Sequence, residues 1–327
     1  MSIFRTPLDI TRSPFSLTIK DPVLTIGSCF ADMLGVQLKK NKFTVSHNPF
    51  GTLFNPLSIH RALRYTIFHE LPAEHTYLQH HDVFANYDFH SVFSGLQRKS
   101  VDDKIKEAIG FNHYFLKDCM FLIITYGTAM VYERNDTKEI VANCHKVPAH
   151  HFTKRLLQPG DIIKSFDSLY SELKAFNPHI KIILTVSPVR HTKETLELNS
   201  VSKAILRLAC HAISETYVDI EYFPAYEIML DDLRDYRFYA SDMIHPSEDA
   251  EKYIWEKFIE SYFDEESIRF LEKWNKIQTA LTHKPFHPQA AAHQRFLKDT
   301  LSLLQELKST VDVDTEINFI QRQLTNH

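Results

Sequence analysis

Two side chains that can act as nucleophiles stand side by side at Ser28 and Cys29, in the string VLTIGSCFADMLG at residues 23–35. An apolar run precedes them, Gly27 breaks it, and an amphipathic stretch follows. A cysteine at the start of a helix meets unpaired backbone N–H groups and the positive end of the helix dipole, both of which favour a thiolate. The same N–H groups can hold the oxyanion of a tetrahedral intermediate. Far along the chain, Asp242-Met243-Ile244-His245-Pro246 offers the remaining parts. His245 can serve as general base. Asp242 can bond the far ring nitrogen and fix its tautomer. Cys29, His245 and Asp242 together suit acyl transfer through a covalent intermediate. Plainer readings stand beside this one. A cysteine after a strand is commonly a small buried hydrophobe, Asp242 can cap a turn, and Pro246 can open a helix. Ser28 fits a helix N-cap, so Cys29 is the first choice of nucleophile and Ser28 the alternative.

These groups need elements to position them. Apolar runs at 23–26, 43–46, 119–126, 180–186 and 216–220 read as strands. Helical patterns lie at 30–41, 57–69, 101–116, about 161–175, 196–214 and 247–262. Alternation of the two predicts a parallel sheet with helices on both faces. In such sheets ligands bind at the carboxyl ends of the strands, near a switch in strand order. The residues just after the strands are therefore the candidates for binding or oxyanion roles: Ser28, Asn48, Gly51 and Thr128. His145, in Asn143-Cys144-His145-Lys146, can approach from the side, though a structural turn fits it equally. A turn at 133–139 between strands at 130–132 and 140–142 predicts a hairpin outside the sheet. Residues 75–95, aromatic and rich in histidine, read as a long loop.

The sheet domain spans 1–275 and a helical extension 276–327. In the extension, Phe296, Leu297, Leu301, Leu303, Leu304 and Leu307 fall at helical spacing. They predict a helix that docks on the main domain or joins two copies of the chain.

Bulk properties exclude several classes. A formal charge of −4 gives no basic field for nucleic acid. The four cysteines are scattered without CxxC spacing, so neither a zinc knuckle nor a redox pair is signalled. His80-His81 and His150-His151 do not make a metal site, because neighbouring residues on a strand point apart. No metal or cofactor is expected. No apolar run reaches the roughly 18 residues of a membrane helix, and the first residues lack the apolar core of a signal peptide. The expectation is a cytoplasmic protein with no membrane partner. Glycine is scarce: seven occur, where average usage of about 7% would give roughly 23. Those kept at strand ends, Gly27, Gly51 and Gly127, stand where other residues would not fit.

The string TIGSCFA (25–31) resembles the signature of the GSCFA family. The resemblance continues through NPFGTLFNP (48–56), DFHSVFSG (88–95), YGTAMVYE (126–133), NCHKVP (143–148), SPVRH (187–191), NSVSKAILR (199–207) and DMIHPSEDAEKYIWEKF (242–258). It covers roughly residues 20–260. That family is similar to the SGNH (GDSL-like) hydrolases. The resemblance implies a flavodoxin-like, three-layer sheet and an acyl-enzyme mechanism. It lays Gly27-Ser28-Cys29 on the Gly-Asp-Ser block, with Cys29 at the nucleophile position, and Gly51 on the second-block glycine. Asp242 and His245 match the final block. Gly127-Thr128-Ala129 departs from the usual Gly-x-Asn, so an amide donor is missing and Thr128 would have to donate through its hydroxyl. Two functions follow as expectations. One is an esterase or O-acyltransferase acting on a small acyl ester or acylated sugar. The other is a non-catalytic SGNH-like module that binds a glycan or a protein.

Overall fold

The computed structural model describes residues 6–325. The first crossover is β1 (Val23–Gly27), α1 (Cys29–Lys40) and β2 (Val45–His47), followed by α2 (Pro56–Phe68). A hairpin of β3 (Tyr77–His80) and β4 (Val83–Asn86) leads to α3 (Arg98–Asp118) and β5 (Phe121–Tyr126). An excursion follows, with β6 (Met130–Arg134), β7 (Ile140–Val141) and β8 (Phe152–Leu156). The chain returns through α4 (Pro159–Phe176), β9 (Lys181–Val186), α5 (Leu196–Thr216) and β10 (Ile220–Phe223). It ends in α6 (Ala225–Glu227), α7 (Glu248–Tyr262), α8 (Glu265–Thr282), α9 (Ala291–Leu307) and α10 (Asp314–Thr325).

Five strands form one parallel sheet in the order β10-β9-β5-β1-β2. Counted along the chain, that is the flavodoxin-like order 2-1-3-4-5, with its switch point between β1 and β5. Alternation within β5 builds the layers. Phe121 and Ile123 enter one core; Leu122, Ile124 and Tyr126 enter the other. Both faces are covered, so the strand is buried throughout and apolar except for Thr125. The α/β sheet with helices on both faces is thus as the sequence reading has it.

Local expectations needed correction in four places. The last strand is Ile220–Phe223, not 216–220, because the apolar stripe of α5 carries the helix to Thr216. Residues 75–95 are not irregular: Tyr77 pairs with Asn86 and His80 with Val83 in an antiparallel hairpin. The excursion has a third strand, since β8 pairs along the whole of β6. The histidine pairs do not point apart. The rings of His80 and His81 are 4.3 Å between centroids and those of His150 and His151 are 4.2 Å. His81 lies in a turn with φ 53°, and His150 and His151 lie in a single 3-10 turn, so strand alternation does not apply.

The C-terminal helices dock. Leu297, Leu304 and Leu307 share a core with Phe30, Leu34 and Leu38 of α1. Trp274 Nε1 donates to the Lys40 carbonyl at 2.9 Å. Phe296 remains partly exposed. Helix α8 runs unbroken across residue 275. Among the described residues, no helix is long and apolar enough to cross a membrane.

Candidate active site

The turn after β1 is built by backbone needs. Gly27 has φ 138°, and a Cβ there would stand 2.1 Å from the Thr125 carbonyl oxygen of the neighbouring strand. Only glycine fits. Asn48 braces the turn from the end of β2: its Oδ1 accepts from the Gly27 N–H at 2.8 Å, and its Nδ2 donates to the Ser28 carbonyl at 3.3 Å. Gly51, at φ 70°, leaves room for His90, whose Cβ would lie 2.5 Å from an added methyl group. Asn48 and Gly51 therefore shape the loop around Ser28 and Cys29.

Ser28 is fully buried and caps α1, its hydroxyl accepting from the Phe30 N–H at 3.3 Å. Cys29 is the first residue of that helix and is partly exposed. A partly ionised resting thiol is not what its surroundings give. Burial pushes the Cys29 thiol above its ordinary value, and Asp32 adds to this. The N–H groups of Cys29 and Phe30 and the Lys203 ammonium pull the other way without overcoming the burial.

His245 and Asp242 form a unit. Asp242 Oδ2 accepts from His245 Nδ1 at 2.7 Å, while Oδ1 accepts from the Ile244 and His245 N–H groups at 2.9 and 3.0 Å. The bond to the imidazole, then those N–H groups, hold the carboxyl at about 2. With Nδ1 donating, Nε2 carries the free lone pair that a base needs. The Arg190 N–H, in the segment after β9, donates to the Ile244 carbonyl at 3.1 Å. That bond ties the 242–246 loop to the carboxyl edge of the sheet. His245 remains half exposed, and among the described residues no hydrogen bond joins it to Cys29.

Thr128 does not present a spare backbone donor. The Gly127 and Thr128 N–H groups both donate to the Phe54 carbonyl, at 2.9 and 3.0 Å. The Thr128 hydroxyl bonds Ser202 at 3.0 Å, and the Ala129 N–H donates to the same Ser202 at 2.7 Å. His145 bonds the Asn86 carbonyl through Nε2 at 2.7 Å. It anchors the turn to β4 and is not among the residues that line the neighbouring cavity.

Two residues with no role assigned from sequence belong to this centre. Lys203 is buried, donating to the Gly127 carbonyl at 2.8 Å and the Ser187 carbonyl at 2.7 Å. Burial pulls its ammonium down to about 7, and Cys29 pushes it back up. The signal was present: Lys203 falls on the stripe made by Leu206, Cys210 and Ile213, where a charge is out of place. His191 Nε2 is buried and without a hydrogen-bond partner. It stands 3.2 Å from where a Gly127 Cβ would be, and Ser28 Cβ is equally close to that point. Burial, with help from Lys203 and His245, holds His191 neutral, down to about 3. Nothing in its spacing singles it out among 19 histidines.

Beside this centre lies a cavity of about 700 Å³ between the excursion and the start of α5, with Thr128, His191 and Ser202 in its wall.

No curated protein matches the chain. A solved structure from Streptococcus pneumonia, described provisionally as a platelet activating factor, aligns with a TM-score of 0.38 and 11% identity over 74% of this chain and 85% of that one. The model of the GSCFA family matches residues 22–258, and that of the GSCFA domain protein C-terminal domain matches residues 274–326. The first match alone takes in β1, the Cys29 turn, the excursion and the Asp242–His245 loop, and on that extent the chain belongs to the GSCFA family.

Proposed function

We propose that this protein is a cysteine acyl-transfer enzyme of SGNH-like type. One observation carries the reading: Cys29 heads α1 at the switch point of the sheet, on the edge to which the Asp242-held imidazole of His245 is tied. In the reaction, Cys29 Sγ attacks the carbonyl carbon of an ester and its proton passes to His245 Nε2. The carbonyl oxygen takes up the electron pair facing the Cys29 N–H, since the Phe30 N–H is held by the Ser28 hydroxyl. The pair returns, the C–O bond breaks, and the leaving alcohol takes the proton from His245. Water or a second hydroxyl then attacks the thioester by the reverse sequence. Because burial keeps the resting thiol protonated, the base acts during attack rather than before it. Closure of His245 onto Cys29 accompanies substrate binding, as hydrogen bonds at such sites often tighten only in the complex. A small acyl ester or an acylated sugar is the substrate class.

Intact-protein mass spectrometry after p-nitrophenyl acetate tests this. Wild type and Ser28→Ala should carry one acetyl group on Cys29, and Cys29→Ala none. An acetyl group on Ser28 would move the nucleophile.

A second reading is favoured by the donors at 127–129, which are already taken by Phe54 and Ser202. Under it the fold binds a glycan or a protein partner without turnover. Complete failure of Cys29 to acylate at any pH selects this reading.

A further inference from the structure

The cavity beside the Cys29 centre is a cleft open to solvent on one side, where the exposed Lys146 and Lys193 stand. About 700 Å³ is the size of a small-molecule site. Its walls are Phe54, Met130, Val131, Val141, Val147 and Phe152. These come mostly from the β6–β7–β8 excursion, which adds nothing to the main sheet. At the rim the chemistry changes to lysine. Lys154 is committed to Glu194. Lys146 and Lys193 also line the cavity, are exposed, and have no acidic partner among the described residues. Apolar walls ending at two ammonium groups without a carboxylate partner, that of Lys193 lying 5.9 Å from the Tyr132 ring centroid, are complementary to a molecule with a hydrocarbon body and a single negative head. No arginine lines the cavity to offer the planar fork that suits phosphate.

We infer that this cavity binds an aliphatic carboxylate, its chain among the apolar walls and its carboxylate at Lys146 and Lys193. The inference holds whether or not Cys29 is a nucleophile, because the cavity meets that centre only along the wall of Thr128, His191 and Ser202.

Displacement of a dansylated undecanoate from the full chain tests it, with hexanoate, decanoate and decanol as competitors. Decanoate should displace the probe more tightly than hexanoate, because each buried methylene adds to binding. Decanol should be about tenfold weaker than decanoate, and the paired variant Lys146→Glu with Lys193→Glu should erase that difference. Ala142→Phe, which puts a ring into the cavity, should weaken both decyl ligands. Lack of displacement by any competitor overturns the inference. So does equal binding of decanol and decanoate, or unchanged binding in an Ala142→Phe protein of unchanged melting temperature. Cys29→Ala should bind decanoate as wild type does. Binding retained while no ester ever acylates Cys29 would therefore remove the acyl-transfer reading and leave this one.

Discussion

The chemistry at Cys29 is a contest between a helix terminus and a dry pocket. Burial wins, so the thiol stays protonated at neutral pH. Alkylation of Cys29 by iodoacetamide should accelerate with pH to beyond the ordinary thiol range. Cys119 and Cys210 are fully buried and should be nearly inert. Cys144, pushed up to about 11 by burial, should trail Cys29. Lys203 adds a charge that is full only below about 7, so its help to a thiolate fades as pH rises. Lys203→Met is expected to slow Cys29 alkylation about threefold near pH 6.5, half a pKa unit's worth, and to match wild type at high pH. Rate profiles of the two proteins check this, and a ratio independent of pH would assign Lys203 a purely structural role. The substitution also strips donors from two buried carbonyl groups, at a cost of about 1–3 kcal/mol.

At the scale of elements, the site depends on a turn that cannot hold itself. Gly27 is extended away from ordinary backbone, and Asn48 supplies the hydrogen bond that fixes it. Asn48→Ala leaves the Gly27 N–H buried and unpaired, so a loss of about 1–3 kcal/mol is expected. Urea unfolding monitored by circular dichroism measures it. The same variant should slow acylation of Cys29 if the turn aims the sulfur. Loss of stability with an unchanged acylation rate would show that the aim is set elsewhere.

The whole molecule is held by two cores on opposite faces of one sheet, and the C-terminal helices complete one of them. Truncation after Thr282 removes Leu297, Leu304 and Leu307 from the core they share with α1 and α8 and exposes apolar residues of that core. A lower melting temperature, or association of the truncated chain, is expected from calorimetry and light scattering. Cys29 acylation per folded molecule should be kept, because among the described residues none after Thr282 lines the cavity or bonds Asp242 or His245. On the other face, His60 is fully buried between Ser165 and Tyr126, and burial pulls it down to about 3. The unfolded chain protonates this ring near 6.5 and the folded chain does not. Stability present above about 6.5 should therefore drain away as pH falls toward 3, by up to about 1.4 kcal/mol per pH unit for this group. His60→Gln should flatten that acid slope in melting temperature.

The sequence by itself determined the alternation of strands and helices, the parallel sheet and the turn at Gly27. These rest on short-range patterns: apolar runs, helical stripes and a glycine between them. It also singled out Asp242 and His245, because a three-residue spacing lets the two side chains meet within one turn. Tertiary structure decided what depends on neighbours distant along the chain. It raised the Cys29 thiol by burying it, and it consumed the Thr128 donors through Ser202 and Phe54. It also brought Lys203 and His191 to the carboxyl edge. The β3–β4 hairpin escaped the sequence because its strands have four residues each and their burial does not alternate, so they impose no period. The cavity escaped it because a void is a property of three packed segments together, and no one of them carries its signature.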